Sequence, residues 1–373
     1  MKDKKDKRKE IRAEERWYVA SQWKLMWRKF IKHKLAILGG IILLIFYLIA
    51  IFCGFFSTYN IYKRYTKYIY SPPQRIHFFD EEGFHLRPFV YGMKLELDPV
   101  TWRRTYTEDK TKKYPIYFFV RGDKYEFWGL FETDIHLLGV KEPGVLFLFG
   151  ADELGRDLFS RNLYAVRISL SIGLVGVAFS FILGCILGGI SGYYGGAADM
   201  VVQRVIEFLM SIPTIPLWMA LSAALPPEWS SIKVYFCIVI ILSITGWAGL
   251  ARVVRGKILE LREEDFSMAA KIAGATDSRI IARHLLPSFL SYLIVSLTLA
   301  VPYMILGETS LSFLGLGLRP PVVSWGVLLK GAQNVRTIAL HPWLLLPGLF
   351  VVVVVLAFNF LGDGLRDAAD PYK

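Results

Sequence analysis

Gly256-Lys257 is the first place to look for chemistry, because a Gly-Lys pair closes the phosphate-cradling loop G-x-x-x-x-G-K-[ST]. Here Ile258 follows, and position 251 is Ala rather than Gly, so that loop is not formed. Gly315-Leu316-Gly317 leads to Pro320 instead of a third glycine, which excludes a dinucleotide fingerprint. Neither H-E-x-x-H nor G-x-S-x-G occurs. His284 precedes Leu285-Leu286-Pro287 with no Cys or second His beside it, an arrangement unsuited to metal binding or catalysis. Cys53, Cys185 and Cys237 fall within apolar runs, lack metal-ligand spacing, and read as small packing residues. The chain is therefore expected to be no enzyme and to carry no metal or cofactor. Energy for any directed work must enter from another molecule.

The stretch 265–287, DFSMAAKIAGATDSRIIARHLLP, is where such energy could enter. Phe266, Ala269, Ala270 and Ala273 fall at i, i+3, i+4 and i+7, one face of a helix. Gly274 follows where a helix ends on a residue with positive φ. Thr276 or Asp277 can cap a second short helix toward Pro287. A helix–turn–helix with a face of small residues is suited to seat against another protein.

Its surroundings are apolar. Of 373 residues, 54% are hydrophobic, and the runs 35–56, 168–190, 205–225, 234–250, 289–306 and 343–361 each approach the ~20 residues that cross a bilayer as a helix. The +12 net charge does not point to nucleic acid, because the excess sits in the first 34 residues, 13 Lys+Arg against 5 Asp+Glu. A basic tail before a first span places the N-terminus in the cytoplasm and attracts anionic lipid. The tail lacks the form of a signal peptide, so 35–56 reads as an uncleaved anchor. Six spans return the C-terminus to the cytoplasm. Seven Lys+Arg in 251–287, against one in 226–233 and three in 307–342, agree with that orientation.

The organisation expected is a basic tail at 1–34, a first span at 35–56, a β-rich extracytoplasmic insert at 57–150, and a helical core at 151–373 containing the polar loop 251–287. In the insert, 75–79 and 84–90 flank Asp80-Glu81-Glu82-Gly83, and 116–120 and 125–128 flank Arg121-Gly122-Asp123-Lys124, two expected hairpins. The Arg-Gly-Asp triplet reads as turn chemistry. Gly184, Gly188, Gly192 and Gly196 recur every fourth residue and predict close helix packing, the last two reaching toward a loop. Pro213, Pro216 and Pro302 predict kinks. Ionisable residues are scarce in the spans, with Glu308 placed near an outer edge, which weighs against ion-coupled carriage.

The 265–287 stretch resembles the cytoplasmic signature of permease subunits of ATP-binding-cassette importers. That signature runs Glu-Ala-Ala, three residues, Gly, nine residues, Ile, any residue, Leu-Pro. The chain has Met268-Ala269-Ala270, Gly274, and His284-Leu285-Leu286-Pro287 at the same spacing, with Met268 in place of the Glu and His284 in place of the Ile. Further blocks are similar to the C-type subunits of dipeptide/oligopeptide permeases. They are Asp152-Glu153-Leu154-Gly155-Arg156-Asp157, Leu158-Phe159-Ser160-Arg161, Ala165-Val166-Arg167-Ile168-Ser169-Leu170 and Gly192-Tyr193-Tyr194-Gly195-Gly196. The run from Glu308 to Gly317, and Gly362-Asp363-Gly364-Leu365-Arg366-Asp367 with Asp370-Pro371, complete the match over about 150–373.

The resemblance implies an all-α polytopic membrane protein with the six-helix fold of a type I importer permease, here with a small β-rich insert. It implies a homologous permease subunit as heterodimer partner, two ATPase subunits on the cytoplasmic face, and an extracytoplasmic peptide-binding protein. Asp265, Phe266, Ala269, Ala270, Gly274, Ala275, Leu286 and Pro287 would then belong to the ATPase-coupling loop, with Leu286 and Pro287 anchoring it to the fifth span. Di- or oligopeptides are the implied cargo; nickel or a modified peptide is the nearest alternative. A stand-alone secondary transporter or channel, and a membrane-anchored sensor, are the readings from other classes. The residues that bind substrate are not marked in the sequence.

Overall fold

The computed structural model describes residues 22–81, 83–97, 99–100 and 104–369. Most of the basic tail, Glu82 of the first hairpin turn, and Asp370-Pro371 lie outside the described residues. Helix α1 (Gln22–Lys32) leads into α2 (Lys34–Ile51), whose first turn is capped by His33 Nδ1 accepting from Ala36 N at 3.1 Å. Ala36, Gly39, Leu43, Phe46 and Ala50 form the buried stripe of α2, while Leu38, Ile41, Leu44, Ile45 and Leu48 are exposed on its other side. Apolar residues on both sides are the pattern of a membrane helix that packs on one face and meets lipid on the other. A single turn, α3 (Cys53–Phe56), continues it.

The core contains α4 (Leu158–Tyr194), the broken pair α5 (Gly196–Ser211) and α6 (Thr214–Ala223), α7 (Ser231–Leu261), α8 (Asp265–Ile272), α9 (Leu290–Phe313), the short α10 (Trp325–Lys330), and α11 (Leu346–Ala369). Among the described residues, five helical segments are singly long and apolar enough to cross a membrane, and they overlap five of the six expected runs, the first ending at Ile51 rather than 56. The third, 205–225, is a correction: α5 and α6 meet at 88° rather than forming a kinked rod. Pro213 disfavours a helical Ile212, which adopts ψ 128°, and Pro213 itself is extended at ψ 127°.

Close packing of α4 on α7 follows from the glycine spacing. A Cβ at Gly188 would stand 2.5 Å from the Ala251 carbonyl oxygen, and one at Gly192 would stand 2.8 Å from that of Arg255. Gly184 packs on Leu250, but Gly196 has open space around it and φ +53°, so only three of the four serve this contact. Gly192 is helical, because α4 runs on to Tyr194 before Gly195 turns the chain at φ +67°. At 37 residues, α4 is about 55 Å long, longer than the hydrocarbon core.

Between α3 and α4 lies an antiparallel meander, β1 (His77–Asp80), β2 (Gly83–Leu97), β3 (Arg104–Phe127) and β4 (Phe131–Val140). The first expected hairpin is present, with Asp80 opposite Gly83. The second is corrected. Strand β3 runs straight through Arg121–Lys124, pairing with β2 in its first half and β4 in its second. The real turn is Trp128–Leu130, where Trp128 and Gly129 supply φ values of +53° and +70°. Arg-Gly-Asp is a bulge, since the register shifts between Arg121 and Tyr125. It turns Asp123 toward the segment after α3, where its carboxylate accepts from Lys63 Nζ at 2.7 Å and Asn60 N at 3.0 Å. His136, buried beside it, reaches the carbonyls of Ser57 and Asp123 at 2.7 and 2.8 Å.

The Asp152–Asp157 block makes the tight bend that starts α4. Asp152 accepts from Leu154 N and Arg156 N at 2.9 Å, from Arg156 Nε at 2.7 Å, and from Arg161. Asp157 caps α4, accepting from Ser160 N at 2.8 Å and Thr58 Oγ1 at 3.0 Å. Burial pushes the Asp157 carboxyl up to about 6, and its hydrogen bonds only partly oppose this.

Two expectations follow. Gly188→Val should lower stability by roughly 1–3 kcal/mol through overpacking, read as a lower melting temperature of the purified protein. Gly256→Ala, with open space around its Cβ, should not lower it. Because the folded-state value of Asp157 is raised, its contribution is full below the ordinary carboxylate range and is lost as pH rises through about 6. Stability relative to Asp157→Asn should therefore fall by roughly 2–3 kcal/mol between pH 4 and 7, measured by denaturation at each pH.

Candidate functional site

The polar loop lies at the end of α4 opposite the sheet. Helix α8 ends at Ala273, and Gly274 follows at φ +81°. Gly274 N donates to Lys271 O at 3.0 Å and Ala275 N to Ala270 O at 3.1 Å, the paired bonds of a Schellman ending. Thr276 takes the N-cap position of a one-turn helix, Asp277–Arg279, without a side-chain capping bond. Asp277 instead accepts from Tyr193 Oη at 2.9 Å. A wide turn, Ile280–Leu285, follows, in which Leu286 N donates to Ile281 O. That i→i−5 spacing suits a chain about to reach Pro287, whose ring would clash with a carbonyl four residues earlier.

The loop is held to the ends of three long helices. Ile280 and Leu285 are fully buried with Cys185, Val254, Ile258, Phe289 and Leu293. Arg262 Nη1 donates to the carbonyls of Gly192 and Tyr193, both at 3.2 Å. Nearby, Arg255 grips Asp199 through two bonds of 2.6 Å, tying the start of α5 to α7.

The expected residues divide. Asp265, Phe266, Ala269 and Gly274 are exposed, with Ala273 and an 85% exposed Ile272 extending the same ridge. Ala270 and Ala275 are half-buried and pack inward, because Ser267 and Ala270, three apart, form the edge of α8 that meets the core. Leu286 is half-buried and Pro287 exposed, so the deepest anchors are Ile280 and Leu285, neither of which the sequence singled out. Their signal was present, since Ile280-Ile281 and Leu285-Leu286 are two apolar pairs five residues apart around Arg283-His284. Met268, where the signature has Glu, is exposed at the surface.

A second feature lies within the helices. A cavity of about 410 Å³ opens between α4, α5, α6, α7 and α9. Its polar lining is Ser180, Thr214, Thr245, Ser296, Tyr292 and Tyr303, and no charged side chain borders it. Each is an ordinary residue within an apolar run, so only their convergence marks a site. Glu308, expected near an edge, is fully buried on α9. It accepts from Ser312 Oγ and Ser324 Oγ at 2.7 Å and from Ser169 Oγ at 3.4 Å. Trp325 N donates to Ser169 Oγ at 3.2 Å, so this cluster joins α4, α9 and α10. Among the described residues, no three His, Cys, Asp or Glu side chains converge as a metal site requires.

Apolar spans, a neutral internal cavity and a rigid polar projection at one end define a membrane transport component that works with other proteins. The chain belongs to the family of binding-protein-dependent transport system inner membrane components, whose sequence model matches residues 147–372. A second model, the N-terminal transmembrane domain of oligopeptide transport permease C, matches residues 21–73. The dipeptide transport system permease protein DppC of Bacillus subtilis is 41% identical over 231 residues, 61% of this chain and 70% of that protein. The oligopeptide transport system permease protein OppC of Haemophilus influenzae is 42% identical over 225 residues, 60% of this chain and 70% of that protein. A solved inward-facing structure of the MetNI methionine ABC transporter is similar at 19% identity and a TM-score of 0.42, covering 55% of this chain and 94% of that one. The sheet falls in the interval 74–146 that neither family model covers.

Tyr193→Phe should release Asp277 and loosen the loop by about 1 kcal/mol. Hydrogen exchange should quicken several-fold at the amides of 277–285 and stay unchanged in the middle of α4.

Proposed function

We propose that this chain is one of two homologous permease subunits of an ATP-driven type I importer for di- or oligopeptides. The exposed ridge of Phe266, Ala269, Ile272 and Ala273 carries the reading. It is an apolar surface on a loop immobilised against α4, α7 and α9, and no described part of the chain covers it. Seated in a cleft on one of two ATPase subunits, the loop acts as a lever. Closure of the ATPases moves Ile280 and Leu285 with it, and these residues pass the movement to the long helices. A lever of this kind biases the helices between inward-open and outward-open states.

In this arrangement the bent pair α5–α6 completes six spans. Both termini and the loop face the cytoplasm, and the sheet faces the extracytoplasmic binding protein. The cavity forms half of the pathway, with the partner subunit supplying the rest. Hydroxyl groups without fixed charge suit a peptide backbone carrying varied side chains. The absence of carboxylate, His and Cys among the cavity's lining residues favours peptide over nickel as cargo.

Gly274→Leu tests the lever. Its Cβ meets open space within this chain, so the change acts through the φ +81° backbone and the docking surface. The reconstituted complex should insert normally yet lose transport-linked ATP hydrolysis and uptake of labelled di- to oligopeptides. Gly256→Ala should retain both, and undiminished uptake by Gly274→Leu would sink the docking role.

A further inference from the structure

The Trp128–Leu130 turn of the sheet does not project away from the membrane helices but is fastened to the end of one. Trp128 Nε1 donates to the carbonyl of Ile51, the last residue of α2, at 3.0 Å. Phe127 stacks on Phe52 with ring centres 5.6 Å apart, and Phe131 stacks on Phe127 at 5.3 Å. The Arg167 guanidinium of α4 lies 4.0 Å from the centre of the Trp128 ring. One turn further, Gly54 lies flush on the Tyr125 ring, and Phe119 packs by Phe55. The turn is thus held on both sides at the level where α2 ends.

That level is the edge of the bilayer core. Helix α2 has 18 residues, about 27 Å, close to the ~30 Å hydrocarbon thickness. Its outward face of Leu44, Ile45, Leu48 and Ile51 is exposed and apolar, and the turn is fastened to the end of that helix at Ile51 and Phe52. Leu130 is 78% exposed, and Phe119, Trp128 and Phe131 are each more than half exposed. An amphipathic Trp beside an Arg is the composition of a membrane–water interface, and the exposed Phe and Leu around it add apolar area.

We propose that this turn is a lipid-inserted foot. Leu130 and Phe131 enter the leaflet on the sheet's side, Trp128 sits at headgroup depth, and the sheet is thereby fixed against the bilayer. The occupant of this apolar patch is phospholipid, argued from continuity with the lipid face of α2. The inference rests on the membrane location of the chain and not on its cargo. Its place outside both family models makes the foot an addition carried by the insert.

The test uses the assembled transporter in phosphatidylcholine/phosphatidylglycerol vesicles, with Cys237 replaced by Ser and a nitroxide on Leu130→Cys. Labels on Ile45→Cys, in the middle of α2, and Glu96→Cys, at the far end of β3's pairing with β2, give lipid and water references. Collision with oxygen relative to a water-soluble nickel chelate should be several-fold higher at Leu130 than at Glu96 and close to that at Ile45. A ratio matching Glu96 would overturn the proposal. So would shielding from both reagents that disappears when the partner proteins are removed, since a protein would then cover the patch.

Discussion

Contact between the backbones of α4 and α7 is the constraint on which the rest of the structure depends. Gly188 against the Ala251 carbonyl, and Gly192 against that of Arg255, allow two helices of 37 and 31 residues to lie at minimum separation. Lipid supplies no hydrophobic force between helices, so such small-residue contact carries much of the packing. Both helices are longer than the ~30 Å bilayer core, and their ends present Tyr193 and Arg262 to the polar loop. Beside it, where Gly246 and Gly249 replace side chains, the same pair helps open the neutral cavity. A single packing decision thus positions both the polar loop and the cavity.

The polar clusters play a different part. Asp152 with Arg156 and Arg161 fixes the local bend that starts α4, whereas Glu308 with three serines and Arg255 with Asp199 join elements remote in sequence. The carboxyl groups of Asp152, Glu308 and Asp199 are each met by donors placed around them, as low-dielectric surroundings demand. They fix the junctions between helices rather than bind cargo, which leaves the cavity free of fixed charge. The sheet extends the same logic outside the core. Asp123 and His136 clasp the segment after α3, and the Trp128 turn clasps the end of α2. An insert between the two family-matched regions is in this way bound to the shared architecture at several points.

Much of this was legible in the residues. Five spans, the glycine seam, the first hairpin, the ending of α8 at Gly274 and the family blocks all rest on local periodicity or on short spacing. The misreadings have physical causes. Arg121-Gly122-Asp123 has turn composition, but β4 pairs on both sides of it and makes it a bulge. Pro213 and Pro216 promised kinks, but an extended Ile212-Pro213 step turned the chain by 88°. Ala270 shares a helical face with Phe266 and Ala269, yet the core beneath α8 drew it inward with Ser267.

The sequence by itself determined that the chain is a membrane-embedded transport component, and where its polar loop begins and ends. Length of apolar runs and residue spacing are properties of neighbouring positions, so they need no fold to be read. Only the tertiary structure decided which face of α8 is left exposed, that Glu308 is enclosed by Ser169, Ser312 and Ser324, and that hydroxyls from separate helices meet in one cavity. It likewise decided that the Trp128 turn lies against Ile51, 77 residues earlier. These facts depend on which distant segments touch, and that is settled by packing rather than by any local pattern.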